Sequence, residues 1–97
     1  MAGNQQITAD GVLGVEDAPT RVFSFSLRSK QTGPGTVILR NGDATTDTEV
    51  HRTVGTADAV TNISFGEGGK FFPAGCFVDV DGDVEYVDID YVTVNRP

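Results

Sequence analysis

The chain is poor in the residues that perform chemistry or brace a small fold. Its 97 residues include one cysteine, one histidine and no tryptophan. Cys76 has no partner within the chain, so no internal disulfide restrains the unfolded state. His51, the single histidine, is far from Cys76 in sequence, and neither a Cys/His metal set nor a Cys-His nucleophile pair can be assembled. Cys76 sits among apolar residues and is read as a small, inert buried side chain; His51 is read as structural. Basic residues are also scarce. The net charge of −7 argues against duplex nucleic acid and anionic membranes, both of which reward Lys and Arg. No run approaches the roughly 20 apolar residues of a membrane span. The start, "MAGNQQITADG", has neither a basic n-region nor an apolar h-region, so a protein made in the cytoplasm and not exported by a standard signal is expected.

What is present suffices for one core. A chain of this length makes a single domain (1–97) and buries about two thirds of its unfolded surface, which leaves a thin stability margin. No stretch of helical length shows a helical period, whereas period-two alternation and β-branched residues recur throughout. An all-β fold follows: short strands with frequent turns predict an antiparallel β-sandwich, jelly-roll or Ig-like. "TRVFSFSLR" places Phe23, Phe25 and Leu27 on one face and Val22, Ser24, Ser26 and Arg28 on the other. "KQTGPG" marks a turn. Asn41-Gly42 predicts a hairpin joining strands near 36–40 and 45–54. "TEVHRTVG" and "AVTNISF" read as two strands separated by "GTAD", and "GEGGKFFPAG" as a loop with a short strand, Pro73 lying at an edge or bend. "CFVDV" and "VEYVDIDYVTV" read as a terminal hairpin turning at Asp81-Gly82-Asp83, with a β-bulge near Tyr86/Val87 or Tyr91/Val92.

That last segment is the most acidic: residues 75 to 97 carry six acids and one base, against eight acids and six bases in the rest. Asp79, Asp81, Asp83 and Asp90 fall at positions 1, 3, 5 and 12 of a calcium loop of the EF-hand kind. Position six is Val84, however, and strands flank the stretch where helices should. Alternate residues of a strand line up in a row about 6.6 Å apart and do not wrap one ion. The hydrated-hairpin reading explains more: Cys76, Val78, Val80, Val87, Ile89 and Tyr91 point inward, and Asp79, Asp81, Asp88 and Asp90 face water. Asp79, Asp81 and Asp83 remain weak candidates for opportunistic divalent-cation binding, calcium being the one ion considered, and no other cofactor is expected. "GEGGK" lacks the full phosphate-loop pattern and is followed by "FFP", so it reads as a connection anchored or made adhesive by Phe71 and Phe72.

The phrases "GTVILRNGDAT" and "ISFGEGGKFFPAGCFVDVDGDVEYVDIDYVTV" carry a resemblance. Through Gly35, Thr36, Val37, Leu39, Arg40, Asn41 and Gly42, and again through Phe72, Pro73, Gly75, Val78, Asp79 and Val80, the chain resembles small β-sandwich virion proteins of tailed phages, particularly marine and cyanobacterial ones. The longer "DATTDTEVHRTVGTADAV" segment departs from that pattern. The resemblance implies a non-enzymatic structural protein: a head decoration or cement protein, a knob or a tail accessory. Its partners would be the major capsid or tail proteins of the same virion, in a multi-copy symmetric assembly, with no nucleic acid or membrane partner. On that reading residues 1–10 are a contact arm, with Gln5 and Ile7 joining Phe71 and Phe72 as contact candidates. The rival reading is an adhesion module that binds glycan or calcium through the acidic hairpin.

Overall fold

The computed structural model describes residues 2–14 and 18–93, in which every regular element is a β-strand. In chain order these are β1 (Ala2–Ile7), β2 (Gly11–Leu13), β3 (Thr20–Ser29), β4 (Thr36–Asn41), β5 (Thr48–Val54), β6 (Val60–Ser64), β7 (Lys70–Phe72), β8 (Cys76–Val80) and β9 (Val84–Thr93). One sheet has the order β1-β9-β3-β6 with β7 also on β3; the other has the order β2-β8-β4-β5. All pairings are antiparallel. We call these sheets A and B.

β6 and β7 are two parts of one edge. β6 pairs β3 from Arg28↔Val60 to Ser24↔Ser64, the Phe65 N–H donates to the Phe23 carbonyl at 2.9 Å, and β7 resumes at Val22↔Lys70. With β6 and β7 counted together, each sheet has four strands. Every connection except β4–β5 and the interruption within this edge crosses from one sheet to the other. That order is a jelly roll, the first of the two sandwich forms expected.

The core is the set of inward positions of both sheets. Ile7, Leu13, Val22, Phe25, Leu27, Val37, Leu39, Phe72, Cys76, Val78, Val84, Val87 and Ile89 form one buried cluster, with Ile63, Phe65, Val80 and Tyr91 packed against it. β3 departs from simple alternation. Val22 pairs Tyr91 and Ser24 pairs the adjacent Asp90, so Phe23 is an extra residue with no partner on β9. The bulge shifts the phase: Thr20 and Val22 face the core upstream of it, and Phe25 and Leu27 downstream. Phe23 is therefore only half-buried, and Val22 takes the inward place that alternation assigns to it. A second bulge lies on β9, where Ser29 pairs Val84 and Arg28 pairs Tyr86, leaving Glu85 over. It lies next to the Tyr86/Val87 slip. At Tyr91 the extra residue belongs to β3 instead.

β8 and β9 are not a hairpin, contrary to the sequence expectation. β8 pairs β2 and β4 in sheet B, while β9 pairs β1 and β3 in sheet A. The Asp81–Val84 turn, closed by the Val84 N–H on the Asp81 carbonyl at 3.3 Å, carries the chain between sheets. Alternation dictates only that each strand has one apolar face, and an arch satisfies it as well as a hairpin does. The β4–β5 hairpin is present, but its connection runs from Gly42 to Asp47 and is not a two-residue turn. The Asp47 carboxylate folds back to accept the N–H groups of Asp43 and Ala44 at 2.9 and 3.0 Å. It occupies the space where a side chain on Gly42, at φ 148°, would lie.

Candidate functional site

The three aspartates singled out by spacing do not converge. Asp79 Oδ2 accepts from Arg40 Nε at 3.1 Å and Nη2 at 3.0 Å, and Arg40 Nη1 donates to the Asp47 carbonyl at 3.1 Å. On the same outer face of sheet B, Asp79 stands opposite Ile38 and Arg40 opposite Phe77, two apolar residues buried outside the main core. Asp81 Oδ1 accepts the Asp83 N–H at 3.0 Å, which tightens the arch, and Asp83 Oδ1 accepts the Thr32 hydroxyl at 2.8 Å. Each carboxylate is turned to its own protein partner. Among the described residues no three His, Cys, Asp or Glu side chains come together as ligands for one ion.

Of the four contact candidates, Phe71 is exposed, Gln5 is half-buried, and Ile7 and Phe72 are buried. Phe71 is 43% exposed, with the Arg21 guanidinium 5.0 Å from its ring centroid. Phe72, one residue on, points the opposite way and is wholly buried. Ile7 is buried too. Gln5 faces inward, where its Oε1 accepts the Gly14 N–H at 3.0 Å and the Tyr91 hydroxyl at 3.4 Å. These three serve the sandwich itself. Residues 2–7 of the expected arm form β1, in register with β9 from Ala2↔Val92 to Ile7↔Val87; Met1 lies outside the described residues.

His51 packs against two aromatic rings, Phe25 and Phe65, that also touch each other with centroids 6.0 Å apart. Its ring centroid is 4.9 Å from that of Phe65 and 6.0 Å from that of Phe25, and its Nε2 is 2.7 Å from the Thr53 hydroxyl. Burial lowers its pKa below the usual histidine value, and the Lys70 charge lowers it further. Cys76 is buried in the core, which pushes its thiol up to about 12. It is no nucleophile near neutral pH.

Two surface features were not apparent in the sequence. The first is apolar. All four exposed large hydrophobic residues among those described, Val50, Val54, Val60 and Phe71, belong to β5, β6 or β7. β5 pairs only β4, and β6 and β7 pair only β3, so these strands bring their unpaired backbone edges to the same side of both sheets.

The second feature is polar and lies on the outer face of sheet A. Register places Asn4, Asp90, Ser24 and Ser64 side by side across β1, β9, β3 and β6. A parallel row beneath it holds Gln6, Asp88, Ser26 and Asn62. Most of these residues line a shallow cavity of about 270 Å³. Within it Asn4 Nδ2 donates to Asp90 Oδ1 at 2.8 Å, and the Ser24 hydroxyl donates to Asp90 Oδ2 at 3.2 Å. Gln6 Nε2 donates to Asp88 Oδ1 at 3.2 Å, and the Ser26 hydroxyl to Asn62 Oδ1 at 2.6 Å. One row further out at one end are Arg28, Tyr86 and Val60; at the other are Arg21, Val92 and Phe71. The sequence signal for this face was the outward phase of Ser24/Ser26 and of Asp88/Asp90. Sequence reasoning missed Asn4, Gln6, Asn62 and Ser64 because their strands join the sheet from distant parts of the chain.

Comparison with protein-family models, with curated proteins and with solved structures returned no match to this chain.

Proposed function

We propose that the protein is a non-enzymatic structural component of a tailed-phage virion, attached in many copies to the capsid or tail through the β5–β6–β7 side of the sandwich. The observation that carries this reading is the confinement of Val50, Val54, Val60 and Phe71 to that one side. Scattered exposed apolar residues are ordinary on a protein surface; their restriction to adjoining edge strands, with Val60 and Phe71 on the outer face of sheet A and Val54 on that of sheet B, supports contact along this edge. A partner strand or shell surface laid there would cover the apolar side chains and satisfy unpaired backbone groups together.

Three further points support the reading. The sequence resemblance is to virion proteins of this size. The jelly roll is a fold used by capsid proteins, although it is also used by lectins and cupins and does not define a role by itself. A small core without a disulfide suits a module whose folded form gains stability by binding a large assembly.

The test is incorporation into particles. Wild-type protein is expected to co-purify with intact particles at a fixed ratio to the main shell protein. The Val54→Asp/Phe71→Asp double variant changes two exposed positions and is expected to remain folded yet be absent from particles. Wild-type occupancy by the double variant refutes the proposed surface, and absence of the wild-type protein from particles refutes the virion role.

A further inference from the structure

We propose that the outer face of sheet A binds a neutral saccharide, its pyranose hydroxyls held by the two polar rows across β1, β9, β3 and β6. The proposal is independent of attachment through β5–β7 and of the virion assignment, because it rests on a different set of residues.

The hydrogen-bonding inventory identifies the ligand class. Asp88 uses one carboxylate oxygen for Gln6, and its other oxygen has no partner among the described residues. Asn62 accepts from Ser26 through its amide oxygen, and its amide nitrogen has none. An acceptor and a donor are therefore presented in the same row, with the Ser26 hydroxyl between them. A sugar hydroxyl both donates and accepts, so two hydroxyls of one saccharide satisfy both groups. In the other row the Ser24 hydroxyl, whose proton goes to Asp90, still accepts, and the Ser64 hydroxyl, which accepts the Gly66 N–H at 3.3 Å, still donates.

Other ligand classes fit less well. Asp88 and Asp90 alternate on one strand, about 7 Å apart along it. Each is already hydrogen-bonded to a different residue of β1, so they do not close on a single cation. Their charge disfavours an anion. A basic peptide would be drawn by the two carboxylates but would cover the six uncharged polar side chains of the two rows without matching them. A neutral polyol matches both kinds of group. The ring of Tyr86, one row beyond one end, offers apolar surface for the C–H face of a longer glycan. Because the polar groups are held on paired strands, the site is formed before the ligand arrives.

The experiment follows backbone amide shifts of the full-length protein titrated separately with trisaccharides of glucose, mannose, galactose and N-acetylglucosamine at millimolar concentration. Calcium chloride and trilysine are the comparison ligands. At least one saccharide is expected to give saturable shifts centred on Ser24, Ser26, Asn62, Ser64 and Asp88. Asp88→Asn is expected to weaken binding about tenfold by removing a charged hydrogen-bond acceptor. Asn62→Ala, at an exposed position of an edge strand, provides the same reading should Asp88→Asn perturb the fold, and Asp81→Asn in the distant β8–β9 arch should leave binding unchanged. The assignment is overturned if no saccharide gives saturable shifts, if those amides respond to calcium or trilysine instead, or if a folded site variant retains wild-type affinity.

Discussion

Phe71 and Phe72 are chemically identical neighbours that the sandwich treats oppositely, which makes them a sharp test of the β7 register. Phe72 is wholly buried between Thr20 of β3 and the core, so Phe72→Ala removes a large side chain from a site without solvent. Substitutions of this kind cost about 3–5 kcal/mol, because lost burial and an incompletely collapsed cavity add together. A domain of this size is stabilised by only about 5–15 kcal/mol, so the variant should be close to the limit of folding. Phe71 is 43% exposed and also stacks with Arg21. Its replacement by alanine removes partial burial and an exposed cation–π contact, for a loss of about 1 kcal/mol. With a urea m-value of about 1.5 kcal/mol/M, Phe72→Ala should lower the midpoint by about 2–3 M and Phe71→Ala by less than about 1 M. Equilibrium urea unfolding followed by far-UV circular dichroism measures both. Equal shifts, or a larger one for Phe71→Ala, would refute the register of β7 on β3 and the placement of Phe72 in the core.

Three other outcomes follow from individual contacts. Ser29 is buried, and its hydroxyl accepts the Gly35 N–H at 2.9 Å; Ser29→Ala leaves that donor unsatisfied where the chain passes between sheets and should cost about 1–3 kcal/mol, read by urea unfolding. The folded pKa of His51 lies below its unfolded value, first because of burial and then because of Lys70. Its contribution is therefore fully present above the unfolded histidine pKa and is lost as pH falls through that value towards the folded one. The melting-temperature difference between wild type and His51→Gln should accordingly move against the wild type on acidification through that window, and a pH-independent difference would contradict the packing of His51 against Phe25 and Phe65. Burial holds the Cys76 thiol protonated, at a pKa of about 12, so an alkylating reagent near neutral pH should label it slowly in the native protein and rapidly in urea, as mass spectrometry will show.

Much of the fold is local and was legible in the sequence. Period-two alternation identified an all-β chain, the inward faces of β8 and β9 and the burial of Cys76, because an apolar/polar pattern of period two reports which side chains share a face; the β4–β5 pairing was legible from the turn dipeptide Asn41-Gly42. The bulge near Tyr86 was legible for the same reason, as a break in that period. The bulge at Phe23 was not: unbroken alternation in "RVFSFSL" puts Phe23 inward with Phe25 and Leu27, and only pairing with β9 gives that place to Val22.

Strand character and, for most segments, the identity of the apolar face are properties of a single extended segment and its nearest neighbours, and could be read before any pairing was known. Sheet membership, the arch between sheets in place of the expected terminal hairpin, the burial of Phe72 and Ile7 and the bonding of Gln5 to Gly14 arose from the assembled sandwich. It also built the polar face, where Asn4 meets Asp90 and Ser26 meets Asn62 across large separations in the chain. The physical reason is that alternation constrains each strand separately, whereas pairing, register and the side-chain rows that cross a sheet exist only once several strands have found one another.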